Sequence, residues 1–487
     1  MTTCNGFIRM AAHRKHPLAL VLAGLCAAAP CAHATPVLPP ELDAPLMTPR
    51  FAAPPPSHTP HVPNVVTVSN CDDSGPGSLR EASGIAADGD TIDLSQLSCS
   101  TISLTTGAIL LGQHDITVHG PGRDRLAIDA SQSTHDGLGN VLFHLGGGTL
   151  AVDNVTLSGG RKYVDDQHVT GGCVYSNENV SITDATIRDC VATSASNLAA
   201  LGGGVFATGF LNLDHSTIED NQTMANGNGF SSGGGVYADG GIHALYSIVS
   251  GNTANHLGPT PTFGGGIFAR SYAGIFESAV VGNRAVRAGG MAIAGVGSTD
   301  LAFVFQSTIS RNRAYGVIGG MYTRQELYLY NSTIANNIAT STTLDGDNKG
   351  VGLHWEALHN LVMVSSIISD NGSDEPDAFD LGGPPSTPPG VSFSGNNDII
   401  ATTNLAPPPD TIPGPALLGP LTDNGGLTPT HALGAGSFAI NAGAMPNLGV
   451  FTNDQRGEGF ARWVGSSVDA GAFESDPDRI FVTGFNF

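Results

Sequence analysis

The sequence predicts an all-β fold: a single-stranded right-handed parallel β-helix with an N-terminal helix cap and a C-terminal cap. Three observations carry this. Short glycine runs end just before Cys173, Val205, Val236, Ile267, Met291, Met321 and Leu353, at spacings of 32, 31, 31, 24, 30 and 32 residues. A phrase of the S-T-I-x-x-N type closes each unit and sets Asn221, Asn252, Asn283, Asn312, Asn337 and Asn371 in register. Counting back from the closing serine, two positions are apolar in every unit: Leu211, Ile242, Ala273, Ala302, Leu327 and Leu361, then Leu213, Ala244, Ile275, Val304, Leu329 and Met363. A period near 31 residues is that of a solenoid, and apolar positions two apart share one face of a strand, here the interior.

The ends lie outside this pattern. Residues 1–34 read as a secretory signal, with Arg9, Arg14 and Lys15 before an apolar run from Leu18 to Ala29 and an Ala-His-Ala cleavage site ending at Ala34. Residues 35–63 are a Pro-rich linker. Removing the signal leaves 17 basic and 42 acidic residues, an acidic balance that makes nucleic acid a poor partner. No segment is long and apolar enough for a transmembrane helix. Charged residues are 13 % of the chain and Gly numbers 65, which suits a glycine-punctuated solenoid rather than disorder.

Residues 64–145 read as the N-terminal cap and first irregular turns. Val65–Val68 is a strand, and Ser78 with Glu81 forms a capping box that opens a short helix reaching about Ala87. Such a cap closes the exposed sheet edge and open core of the first turn. Regular repeats occupy 146–371. At about 4.8 Å per turn, eight to ten turns make a rod of roughly 40–50 Å. The variable segments before each Gly run, such as 222–232 and 254–263, are expected to project as loops. Residues 372–474 are a Pro/Gly-rich segment and a C-terminal cap, and 475–487 are a tail.

Four cysteines remain after the signal: Cys71, Cys99, Cys173 and Cys190. An even number in an exported chain suggests disulfides. Proximity favours Cys71–Cys99 and Cys173–Cys190, with buried free thiols as the alternative.

The stretch Asp73-Ser-Gly-Pro-Gly-Ser-Leu-Arg-Glu-Ala82, followed by Gly89-Asp-Thr-Ile92, resembles the opening of exported bacterial right-handed parallel β-helix proteins. The Gly runs and S-T-I-x-x-N phrases resemble the repeats of polymorphic outer-membrane proteins. Asp423 to Leu433, Asp454-Gln-Arg-Gly457 and Asp469-Ala-Gly-Ala-Phe-Glu474 resemble the choice-of-anchor Q domain. The resemblance implies a pectin-lyase-like fold on the outer surface of a Gram-negative bacterium, or secreted from it. It also implies sorting machinery that reads the C-terminal tail, and no defined catalytic activity. Ser83 where Ile is usual, Cys190 in the Asn column and Asn441 in place of Asp depart from the family pattern.

Each chemical motif has a plain structural reading beside it. A column of amides one strand apart can hydrogen-bond along itself, so the six Asn residues are a ladder rather than ligands. The Gly runs lack the Lys-Ser/Thr of a phosphate loop. Asp345 to Lys349 with Glu356 mimics a calcium loop, but Lys349 occupies a ligand position. No metal and no cofactor is called for. A hydrolase needs two carboxylates at a set separation, and no such pair recurs, so a polysaccharide lyase or glycoside hydrolase is the alternative to a non-enzymatic role in adhesion, surface structure or glycan contact. The outward columns turn aromatic in later turns, at Phe276, Phe303, Phe305, Tyr328 and Tyr330. Soluble proteins avoid an open patch of that kind. Either the 372–474 segment folds back over it, or it contacts surface glycans or another component of the cell envelope.

Overall fold

The computed structural model describes residues 62–476 apart from 134–138, 166, 196, 257–259, 261, 296–299, 342, 345–346, 349, 375–377, 385 and 445–451. The expected signal, nearly all of the expected linker and the expected tail from 477 onward therefore lie outside the described residues.

One turn shows the plan of all. Val205–Ala207 lies in the first sheet, C; Phe210–Asp214 in sheet A; Thr217–Glu219 in sheet B; Gln222–Ala225 in sheet D; Ser231–Ser232 in sheet E; and Val236–Ala238 re-enters sheet C one turn on. Sheets A and B hold 12 strands each, C holds 10, D holds 8 and E holds 3. The pairings are parallel and keep the repeat register, as in Leu211↔Ile242 and Leu213↔Ala244. The chain is a parallel β-helix.

The two apolar columns are the core: Leu211, Ile242, Ala273, Leu327 and Leu361 are all 0 % exposed, in one hydrophobic cluster running from Val68 to Ile400. Stacked short strands leave a core only one or two residues wide, so every turn must repeat the same inward positions. The helix Leu79–Ile85 seals the first turn with Leu79 and Ala82 buried. Ser78 Oγ accepts from Glu81 N at 3.2 Å, and Glu81 Oε2 accepts from Gly77 N at 2.5 Å.

The Gly runs and the Asn column turn out to be one device. The first glycine of the run is left-handed (φ +64° at Gly202 and +63° at Gly233), which costs glycine nothing. At the second, a Cβ on Gly203 would lie 2.1 Å from Gly234 O and 2.5 Å from Gln222 C. At the third, a Cβ on Gly235 would lie 2.9 Å from Asn252 Nδ2. The run therefore crosses hard against the sheet D strand of its own turn and against the ladder amide. Ala288 (φ +52°) and Ile318 (φ +68°) occupy the first position in two later turns, where a side chain at positive φ is strained.

The segments before the Gly runs differ from the projecting loops expected. Much of their length forms parallel strands, sheets D and E, which fold back over sheet C and bury a second apolar cluster with Tyr175, Phe206, Tyr237 and Phe268. The 24-residue turn before Met291 combines a two-residue sheet D strand, Arg284–Ala285, and no sheet E strand with a short connection from Ile267–Ala269 to Tyr272–Phe276. The 30-residue turn after it has an equally short sheet D strand but a longer connection from Met291–Ile293 to Leu301–Phe305.

The closing phrase stops at Asn371, but the solenoid runs one turn further, through Phe379–Gly382, Phe393–Asn396 and Ile399–Ile400. Carboxylates take over the ladder positions there, as described below. Beyond it, the described parts of 416–476 form a module on the outer face of sheet B. This corrects the expected placement over the aromatic columns of sheet A. The reason lies in the outward residues of sheet B, which become hydroxyls and small aliphatics in these turns. Thr308 Oγ1 donates to Gln455 Oε1 (2.6 Å), Ser310 Oγ meets His431 Nε2 (2.8 Å), Ala472 N donates to Thr333 Oγ1 (3.0 Å), and Ile367 packs with Ala416, Ala439 and Ala470. Both sulfur pairs form: Cys71 is bonded to Cys99 and Cys173 to Cys190.

Candidate functional site

The repeated polar residues are consumed inside the rod. Asn221 N and Nδ2 both donate to Asn252 Oδ1 at 3.0 Å, and Nδ2 also donates to Ile187 O at 3.0 Å. The same pattern links Asn252, Asn283, Asn312, Asn337 and Asn371. Cys190, the departure in the column, starts the ladder by donating its backbone N–H to Asn221 Oδ1 at 3.1 Å. A parallel serine ladder runs from Ser216 through Ser247, Ser278, Ser307 and Ser332 to Ser366. With these groups paired and buried, neither column can hold a ligand.

Each ladder ends on a carboxylate. Asp380 Oδ1 accepts from Asn371 N (2.8 Å) and Nδ2 (2.9 Å), and Asp398 Oδ1 accepts from Ser366 N (2.9 Å). Burial pushes the Asp398 carboxyl up to about 8, against the pull of backbone donors from Ser366 and Asn396. A carboxyl raised above its unfolded value near 3.8 gives stability that is complete below that value and is lost as pH rises through about 8. We therefore expect unfolding free energy to fall by about 3 kcal/mol between pH 6 and pH 9 through this group. In Asp398→Asn, denaturant titrations at the two pH values should show that part of the loss removed.

The five aromatic residues of the outward columns are largely out of solvent. Phe276, Phe303, Phe305 and Tyr330 are 1 %, 2 %, 6 % and 9 % exposed, and only Tyr328 is half-buried. They cover one another. Phe303 stacks on Tyr328 at 5.3 Å, Phe305 on Tyr330 at 4.8 Å, and Phe276 meets Phe305 edge-on at 5.5 Å. Tyr328 Oη donates to Glu326 Oε1 at 2.7 Å. As a contact face this stretch offers ring edges rather than open rings.

The same sheet is different upstream. Its outer face carries Thr117, Ala151, Ser181, Asn212 and His243 in one row and His119, Asp153, Thr183 and Asp214 in the next, all half-buried. His119 Nδ1 bonds Asp153 Oδ1, and His215 Nδ1 bonds Asp214 Oδ1 at 2.6 Å. His243 Nδ1 meets Asn212 Oδ1 at 3.2 Å, and its ring lies 5.1 Å from Phe276, where the aromatic stretch begins. Phe210 and Tyr272, 5.8 Å apart, flank the edge, and Tyr272 reaches Phe303 at 5.9 Å. The result is a track of hydroxyl, amide, imidazole and carboxylate groups, rungs ~4.8 Å apart and interrupted in the first row by Ala151, ending against aromatic rings.

At the corner between sheets A and B, His215, Tyr246, Glu277 and Gln306 occupy successive left-handed positions. Burial raises the Glu277 carboxyl to about 7, with Asp454 of the C-terminal module adding to the rise, while hydrogen bonds from Tyr246 and from Gln306 (3.1 Å) oppose it. Thr428 Oγ1 donates to Glu277 O at 3.1 Å, so the module closes one side of this corner.

Sequence reasoning missed a second aromatic file. The middle residues of the sheet C strands Leu142–His144, Val174–Ser176, Val205–Ala207, Val236–Ala238 and Ile267–Ala269 are Phe143, Tyr175, Phe206, Tyr237 and Phe268, stacked at 4.6, 5.7, 5.3 and 5.0 Å on the outside of sheet C. The Gly-Val/Ile-aromatic triplet that recurs at Phe206, Tyr237 and Phe268 was the available signal. Lys162 Nζ sits over Phe143 at 4.7 Å and Tyr175 at 5.3 Å, and burial lowers its ammonium to about 8. Of the calcium-loop mimic, residues 345, 346 and 349 lie outside the described residues, and no group of three or more metal-ligating side chains occurs among the described residues. No helix among them is long and apolar enough to cross a membrane.

No protein-family model matches the chain, and no curated protein matches it. Among solved structures, the crystal structure of pectate lyase Pel9A aligns with 85 % of this chain and 97 % of that one, at 13 % identity and a TM-score of 0.35. At that score the likeness carries no argument about chemistry; the assignment as a β-helix rests on the strand registers above.

Proposed function

We propose that this chain is an exported β-helix protein that contacts glycans along the outer face of sheet A and does not cleave them. The observation that carries the reading is the half-buried polar track from Thr117 and His119 to Asn212, Asp214 and His243, closed at one end by Phe276 and flanked by Phe210 and Tyr272. Rows of hydroxyl, amide and carboxylate groups match sugar hydroxyls, ring faces take the apolar side of a pyranose, and the rung spacing is close to the length of one hexose. Two disulfides suit an oxidising compartment outside the cytoplasm. The likeness of 423–474 to an anchor domain supports a surface location, with the tail read by sorting machinery.

A polysaccharide-active enzyme is the second reading. It is favoured by Glu277, a half-buried carboxyl raised to about 7 one rung from Tyr246 and two from His215. Affinity electrophoresis on neutral and acidic polysaccharides, run beside assays for reducing ends and unsaturated products, separates the two. Retarded migration without product supports contact. Turnover lost in Glu277→Gln supports the enzyme, and neither retardation nor product removes both.

A further inference from the structure

A cleft of about 520 Å³ lies between the solenoid and the C-terminal module, away from the sheet A track. Its floor is the corner between sheets B and D. Ser310, Ala335 and Ser369 are paired in register, so the residues that follow them, Arg311, Asn336 and Asp370, stand on three consecutive rungs. All three are left-handed (φ +56°, +56° and +60°), which turns them outward in the same way. In the two turns before, the same corner holds Gly251 and Gly282, so charge returns to it only where the module arrives. Arg311 and Asp370 are exposed, and no ion pair joins them to each other or to another side chain among the described residues. Asp370 Oδ2 accepts from Ser369 Oγ at 2.9 Å. The opposite wall is Leu418, Gly419 and Pro420 from the strand Leu418–Thr422, and Ile338, 41 % exposed, lines the cleft between.

A cation and an anion two rungs apart, about 10 Å by strand spacing, define the ends of a site. A linear zwitterion of that span would place a carboxylate at the Arg311 guanidinium, a polar centre at Asn336 and an ammonium at Asp370, with apolar side groups against Ile338, Leu418 and Pro420. Three extended residues span about 10 Å. We propose that this cleft binds a short peptide with free termini, about three residues long with small apolar side chains, its carboxyl end at Arg311 and its amino end at Asp370.

Calorimetric titration of the full chain with trialanine, N-acetyl-trialanine and trialanine amide tests this. Trialanine is expected to bind, and each blocked peptide at least about tenfold more weakly, the scale of one charge-assisted hydrogen bond. Asp370→Asn should abolish the discrimination against acetylation while leaving that against amidation, and Arg311→Gln should do the reverse. Equal affinity for the three peptides, no binding of trialanine, or variants that leave both discriminations in place would each overturn the proposal. The blocked peptides probe both ends of the site on the unmodified protein, whether or not the variants fold.

Discussion

Gly203→Ala should lower the unfolding free energy by more than about 3 kcal/mol, a large effect for one methyl group. The new Cβ meets Gly234 O of the next Gly run at 2.1 Å and Gln222 C of its own turn's sheet D strand at 2.5 Å, both backbone atoms with no rotamer to yield. Relief requires the two adjacent turns to separate, which breaks ladder hydrogen bonds on either side. Gly84→Ala, inside the helix Leu79–Ile85 with nothing within 4 Å of the added Cβ, should do the opposite and stabilise by about 0.5–1 kcal/mol. Guanidinium unfolding of the two variants beside the parent distinguishes stacking from a general dislike of side chains at glycine. Equal effects would mean that the close crossing is not what selects the Gly runs.

Asn252→Ala is the second large effect, with an expected loss of about 3–5 kcal/mol, built from the bonds it removes. The amide makes four buried bonds: Oδ1 accepts from Asn221 N and Nδ2 at 3.0 Å each, and Nδ2 donates to Ile218 O at 2.9 Å and to Asn283 Oδ1 at 3.0 Å. Alanine leaves Asn221 N, Asn221 Nδ2 and Ile218 O without these partners, at about 1–3 kcal/mol for each group left buried and unpaired. It also opens a cavity beside Gly235. Denaturant midpoints measure the loss. A change under about 1 kcal/mol would show that the ladder amides are replaceable by water.

What could be read from the sequence is what repeats locally. The inward columns, the Gly runs and the Asn phrase return at fixed spacing because each turn meets an identical neighbour above and below. The ladder ends could not be read, because Asp380 and Asp398 serve there in the place of Asn and Ser and break the phrase while keeping the bond. The sheet D and E lobe was hidden for a different reason. Its strands are two to four residues long, too short for alternation to show, and their order comes from stacking on equivalent strands of other turns. The position of the C-terminal module depends on which outward face complements it. The hydroxyls of Thr308, Ser310 and Thr333 decide that, and they read in isolation as ordinary exposed strand residues. In the candidate track, Asn212 and Asp214 alternate with the inward Leu211 and Leu213 on one strand, so strand alternation marks them as polar and outward. Their pairing with His243 and His215 and the burial of the downstream rings follow from contacts between residues and turns that periodicity does not encode.

The division of labour is then simple. The repeated phrases build the rod, and the residues free to contact anything else are those on its outer faces where the repeat varies. The most direct test is a crystal structure of the protein soaked with a neutral oligosaccharide of four to six hexose units. The account predicts sugar density along sheet A between His119 and His243, with a ring against Phe210 or Tyr272, and no such density in Asn212→Trp crystals. Density elsewhere on the rod, with the sheet A face empty, would contradict it.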